Sequence, residues 1–139
     1  MLRASHWLLM LGATSCRATL PQPPESAHAS DDFVEVPYPP PAALTETVPR
    51  RPAYADSVWI DGEWAFRGSV FAWRRGGWFA LPLGARFAHW ATRYTNEGQL
   101  LLAPGAWFDA KGNRIAPPAL LAPATTPPNE VTSEYQTGR

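Results

Sequence analysis

Val58-Trp59-Ile60-Asp61-Gly62-Glu63-Trp64 and Phe71-Ala72-Trp73-Arg74-Arg75-Gly76-Gly77-Trp78 carry one frame twice. Each reads W-x-x-G-x-W, with the Gly and both Trp in register at an offset of 14 residues. Leu102-Ala103-Pro104-Gly105-Ala106-Trp107 is a degraded third copy, with Leu in the first Trp slot. Turn glycines framed by aromatics specify short β-hairpins with aromatic pairs across them. Asp-Gly is the favoured pair for a two-residue type I′ turn, because both positions need φ > 0. With Asp61-Gly62 as that turn, Ile60 pairs with Glu63 and Trp59 faces Trp64 at a close, non-hydrogen-bonded position. Arg75-Gly76 allows the same for Trp73 and Trp78. Arg67-Gly68 then links the two hairpins, with Phe66 opposite Ser69 and Trp64 opposite Phe71.

Side chains alternate between faces, so parity can be followed through these strands. Trp59, Trp64, Phe66, Phe71, Trp73 and Trp78 fall on one face. Val58, Ile60, Glu63, Ala65, Val70, Ala72, Arg74 and Phe79 fall on the other. Clustered aromatics are usually core, here covered by strands around residues 85–95 and 98–109. A competing reading is an exposed stacking platform, for which Trp90 and Trp107 are the candidate ligand contacts. Further turn signals (Leu83-Gly84, Asn96-Glu97-Gly98, Lys111-Gly112-Asn113) divide residues 56–116 into short segments. The expected fold is all-β: a small antiparallel meander of short hairpins closing into a small sandwich or partly open barrel.

The flanks differ in composition. Of 139 residues, sixteen are Pro, and they cluster outside the Trp-rich segment. Residues 16–55 read as a Pro-rich tether, with one possible edge strand at 33–37 that Pro37 limits. Residues 117–139 read as a disordered tail. Formal charge is zero, so no charge field argues for nucleic acid.

The N-terminus reads as a targeting segment, residues 1–15. Arg3 supplies the positive charge, His6 to Ala13 a short, mostly apolar stretch. Ala13-Thr14-Ser15-Cys16 resembles the bacterial lipobox, in which a small residue precedes a Cys that becomes lipid-modified; the pattern prefers Leu where Ala13 stands. That resemblance implies acylation of Cys16 and a membrane held through its lipid. Each buried CH₂ contributes about 0.8 kcal/mol to such an anchor. Cys16 is the only Cys, so no disulfide forms within the chain. Arg17 in the next position implies sorting to the outer membrane.

The two Trp frames, followed by Pro82-Leu83-Gly84-Ala85-Arg86-Phe87, Gly98-Gln99-Leu100 and Ala103-Pro104-Gly105-Ala106-Trp107, resemble the YXWXGXW-repeat lipoproteins of bacteria. The resemblance spans roughly residues 34–115. It departs at Val58 and Ala72, where an aromatic precedes each Trp, and at Leu102. It implies a cell-envelope role and no catalytic residues. On this reading Trp59, Gly62, Trp64, Trp73, Gly76, Trp78 and Gly105 are structural repeat positions.

Catalytic signals are not found. His28 and His89 are the histidines left after processing, and without further Cys no metal-ligand spacing exists. Asp56, Asp61, Glu63, Glu97 and Asp109 lie in or beside turns, with no spacing that marks a glycosidase pair. No cofactor motif is present. The expected function is a non-catalytic envelope lipoprotein, facing the periplasm or the surface, that binds a protein or glycan partner. Two alternatives stay open: a purely structural envelope protein with every Trp in the core, and an aromatic cage for choline-like cations. The second is suggested by Gly105-Ala106-Trp107-Phe108-Asp109-Ala110-Lys111-Gly112-Asn113, which looks loosely like one choline-binding repeat.

Overall fold

A computed structural model describes residues 19–125. The targeting segment and Cys16 lie outside the described residues, as does the tail beyond residue 125. The chain is all-β, as expected. Its strands are β1 (Val34–Val36), β2 (Ser57–Ile60), β3 (Glu63–Arg67), β4 (Val70–Arg74), β5 (Gly77–Ala80), β6 (Arg86–Ala88), β7 (Ala91–Tyr94), β8 (Leu100–Ala103), β9 (Ala106–Phe108), β10 (Arg114–Ile115) and β11 (Leu120–Pro123). They form small antiparallel sheets in the orders β1-β8-β7, β10-β9-β6, β11-β5-β2 and β3-β4, with no closed barrel.

The two Trp frames do not fold back on themselves; they pair with each other. β2 runs against β5 with Trp59 opposite Trp78 and Ile60 opposite Gly77. β3 runs against β4 with Trp64 opposite Trp73 and Phe66 opposite Phe71. Both ladders keep one register, so residues 57–80 form a single long hairpin interrupted midway. The interruption is Asp61-Gly62 on one strand and Arg75-Gly76 on the other. This corrects the expected Trp59–Trp64 and Trp73–Trp78 pairs. The physical reason lies in the backbone. A type I′ turn needs two positive φ angles, whereas no non-glycine among the described residues has positive φ and neither Gly62 nor Gly76 does. Within this hairpin the tight reversal sits at Gly68-Ser69, a residue later than expected. Gly68 has φ 66°, and positive φ at the first central position alone is the type II′ pattern.

The expected partition into two faces survives the change of pairing. Val58 and Ile60 pack with Ala85, Phe87 and Trp107 beneath β6 and β9. On the other side, Trp64 and Phe71 pack with Val36, Leu100 and Leu102, and Trp59 and Trp78 with Ala124. The paired rings meet edge-to-face, with centroids 5.5 Å apart for Trp59–Trp78, 5.1 Å for Trp64–Trp73 and 5.0 Å for Phe66–Phe71. That is the geometry preferred by ring quadrupoles.

The Pro-rich flanks are docked where the structure describes them. Trp59 donates its backbone N–H to the Pro21 carbonyl at 2.8 Å, and Phe87 to the Pro24 carbonyl at 2.9 Å. Thr47 and Thr125 exchange backbone hydrogen bonds of 2.8 and 3.1 Å. β11, in the region read as tail, pairs along β5. Proline cannot donate, yet its carbonyl still accepts, so Pro-rich chain serves as an acceptor along a sheet edge. Composition reports how little such a segment buries and is blind to the donors it satisfies. β1 occupies the edge of its sheet and pairs with β8 alone.

Candidate functional site

The interruption in the long hairpin would leave backbone donors unpaired, and the connector fills it. Glu46 places its carboxylate in the gap. Gly62 N–H donates to Oε2 at 3.1 Å, Gly76 N–H to Oε2 at 3.0 Å, and the Trp73 indole to Oε1 at 2.9 Å. The glycines are needed here for space. A Cβ on Gly62 would overlap the Trp73 ring and the Glu46 carboxylate. One on Gly76 would lie 2.5 Å from the Ile60 carbonyl oxygen and 2.7 Å from Gly62 N. The connector is strapped along its length. The Trp64 indole donates to the Ala42 carbonyl at 2.9 Å and the Trp78 indole to the Pro49 carbonyl at 3.0 Å. Trp59 donates to Asp61 Oδ1 at 2.7 Å. All four indole N–H groups of the first two frames are thus bonded within the chain.

A second carboxylate marks the opposite face. Glu63, 3% exposed, is ion-paired with Arg74, its cross-strand partner. It also accepts the Gly105 N–H at 3.0 Å, while Arg74 Nη2 donates to the Gly105 carbonyl at 2.9 Å. Burial raises the Glu63 pKa above its ordinary value, opposed by the Arg74 charge and the Gly105 hydrogen bond. A Cβ on Gly105 would lie 2.6 Å from Glu63 Oε2 and 2.7 Å from Phe87. In all three copies, then, the frame glycine gives its N–H to a carboxylate.

Beside this contact lies a cleft of about 160 Å³. The first frame lends it Ile60 and Asp61, the second Arg74 and Arg75, and the third Gly105, Ala106 and Trp107. Phe79 and Phe87 complete an apolar floor, with centroids 5.9 and 4.9 Å from that of Trp107. Arg114 stands at the rim, bonded to Asp32 at 3.1 Å. The first and second frames supply different residues to the two sides of the hairpin: indoles and glycine amides hold the strap, while x positions line the cleft.

The sequence candidates fall in different places. Trp90 is exposed and borders a separate hollow of about 330 Å³ beside Glu46, Trp59 and Trp73. Trp107 is 4% exposed and lines the cleft floor, with the Phe79 and Phe87 rings packed against it. The loop after it is closed by Asp109, whose Oδ1 accepts from Lys111 and Asn113 N–H at 2.8 and 2.9 Å. Asn113 hydrogen bonds hold the Asp109 pKa low. His28 donates from Nε2 to the His89 carbonyl at 2.7 Å. Among the described residues no group of three or more His, Cys, Asp or Glu could hold a metal ion. Glu46 was missed by sequence reasoning. Its available signal was modest: it is the one acid between residues 42 and 55. The chain matches no family model, no curated protein and no solved structure.

Proposed function

We propose that this protein is a non-catalytic lipoprotein of the bacterial cell envelope, anchored by lipid at Cys16, whose β domain receives a protein or glycan partner at the outer membrane. The observation that carries the binding part is the cleft on which all three repeat copies converge. The anchor rests on Ala13-Thr14-Ser15-Cys16 and on the resemblance to the YXWXGXW-repeat lipoproteins. Docking of Pro21 on β2 adds a geometric consequence. Pro21 stands five positions after Cys16, and five residue steps span at most about 18 Å. The domain therefore sits close to the lipid surface, where a 40-residue tether would have let it range widely.

The test is fractionation of cells expressing wild-type protein and Cys16→Ser, with mass spectrometry of the N-terminal peptide, followed by capture of envelope components on the full-length chain. Membrane retention that depends on Cys16, an acylated Cys16 peptide and a captured partner support the proposal. Retention unchanged in Cys16→Ser overturns the anchor. One observation favours a second reading, a purely structural envelope protein: the four indole N–H groups of the first two frames are satisfied internally. That reading expects no captured partner, so the same experiment separates the two.

A further inference from the structure

We infer that the cleft between the three repeat copies is a site for an acidic sugar, a six-membered ring bearing one carboxylate, gripped by Arg75. This inference rests on the glycan form of the function proposed above and names its ligand class.

Charge pairing singles out Arg75. Arg74 spends Nη2 on Glu63 and the Gly105 carbonyl, and Arg114 spends Nη1 on Asp32. Arg75 is exposed and makes no ion pair or hydrogen bond among the described residues. A guanidinium offers a planar fork that fits a carboxylate through two parallel bonds. Among the lining arginines, Arg75 is therefore the one left to pair with a carboxylate of a ligand.

Size and lining set the rest. An apolar cavity of about 150 Å³ accommodates a benzene ring, and the cleft of about 160 Å³ is of that scale. Its floor of Trp107, Phe79 and Ile60 suits the apolar face of a ring. Asp61 supplies the discriminating polar group. It lines the cleft; its Oδ1 takes the Trp59 indole, and its Oδ2 accepts no hydrogen bond among the described residues. A carboxylate acceptor in the same lining disfavours a second anion and welcomes a hydroxyl donor. Hydroxyls and a carboxylate on one ring describe a uronic acid.

The test is a titration of the isotope-labelled full-length protein, lipid-free as Cys16→Ser, with sodium glucuronate, glucose and sodium benzoate at matched ionic strength, followed by amide and indole resonances. Glucuronate shifts the amides of Arg75, Gly105 and Ala106 and the Trp107 indole; glucose and benzoate each bind at least about tenfold more weakly, the scale of losing one charge-assisted contact. Arg75→Ala weakens glucuronate by a similar factor, and Arg75→Lys recovers part of it. Because Arg75 makes no ion pair or hydrogen bond among the described residues, both variants keep the wild-type spectrum elsewhere. Overturning results are no localised shifts with glucuronate, an equal response to glucose or to benzoate, or undiminished binding by Arg75→Ala. Each of these would leave membrane retention and partner capture untouched, so failure of the ligand class is distinguishable from failure of the envelope reading.

Discussion

Replacing Glu46 tests whether the strap carboxylate holds the interrupted hairpin together. Glu46→Ala leaves the Gly62 and Gly76 N–H groups and the Trp73 indole without their acceptor. A hydrogen bond contributes about 1 kcal/mol net, and about 1.5–3 kcal/mol when one partner is charged. Glu46 is half-buried, so water replaces part of what is lost and the lower figure applies. Three donors at that level give a loss of about 3 kcal/mol. A domain of this size has about 5–15 kcal/mol in total. Glu46→Gln keeps one carbonyl oxygen but turns an amide NH₂ toward donors, and loses about half as much. Urea unfolding followed by Trp fluorescence reads both. With a slope of about 1–3 kcal/mol per molar, Glu46→Ala moves the midpoint down by at least about 1 M. The Trp73 indole resonance should move in the same variant while the Trp107 indole stays. A loss below about 0.5 kcal/mol, the range of ordinary surface substitutions, would refute the strap as a support.

Two glycines separate space from conformation. Gly76→Ala sets a Cβ against the backbone of Ile60 and Gly62 and should cost about 2–3 kcal/mol by overpacking; Gly68→Ala meets open space and only the strain of φ 66°, about 1 kcal/mol. Equal unfolding midpoints for the two variants would count against this account. Glu63 has a raised folded pKa, so its contribution is most favourable below the ordinary 4.5 and is lost as pH rises through the folded value. Wild-type stability relative to Glu63→Gln should therefore fall as pH climbs from about 4.5, and a rise over that interval would contradict the burial argument. Ending the chain after Ala116 removes β11 and Ala124 from the Trp78 side of the core. Red-shifted Trp emission and a lower urea midpoint are expected; an unchanged spectrum would show that the segment adds nothing.

The class of the fold and the division of side chains into two faces were legible in the repeat, and the strand pairing was not. A local I′ turn at Asp61-Gly62 and a long hairpin closed at Gly68 place the same residues on the same faces. Parity therefore cannot choose between them. What decides is a non-local term: Trp59 meets Trp78, and Trp64 meets Trp73, while Glu46 arrives from outside the repeat to satisfy the gap. The local turn signal lost to that combination. The flanks were misread for a related reason. Pro21 and Pro49 are half-buried and Pro24 is exposed, and their carbonyls take N–H groups from Trp59, the Trp78 indole and Phe87.

The repeat's glycine has one job in three settings, and it is chemical more than conformational. Gly62 and Gly76 give their N–H groups to Glu46, and Gly105 gives its own to Glu63. None has positive φ, and at each a Cβ would collide with the acceptor carboxylate it serves. Alanine at these positions would keep the amide and still lose the bond, because the acid could not approach. The third copy shows which part of the frame this depends on. It lacks the first Trp, pairs through β9 with β6 and β10, and nonetheless keeps the glycine–carboxylate contact. The indole pairs fix register, and the glycine amides bind acids. The first two copies accept an acid from the strap, whereas the third accepts Glu63 from the first copy. That last bond ties the copies to one another and sets their x positions around a single cleft.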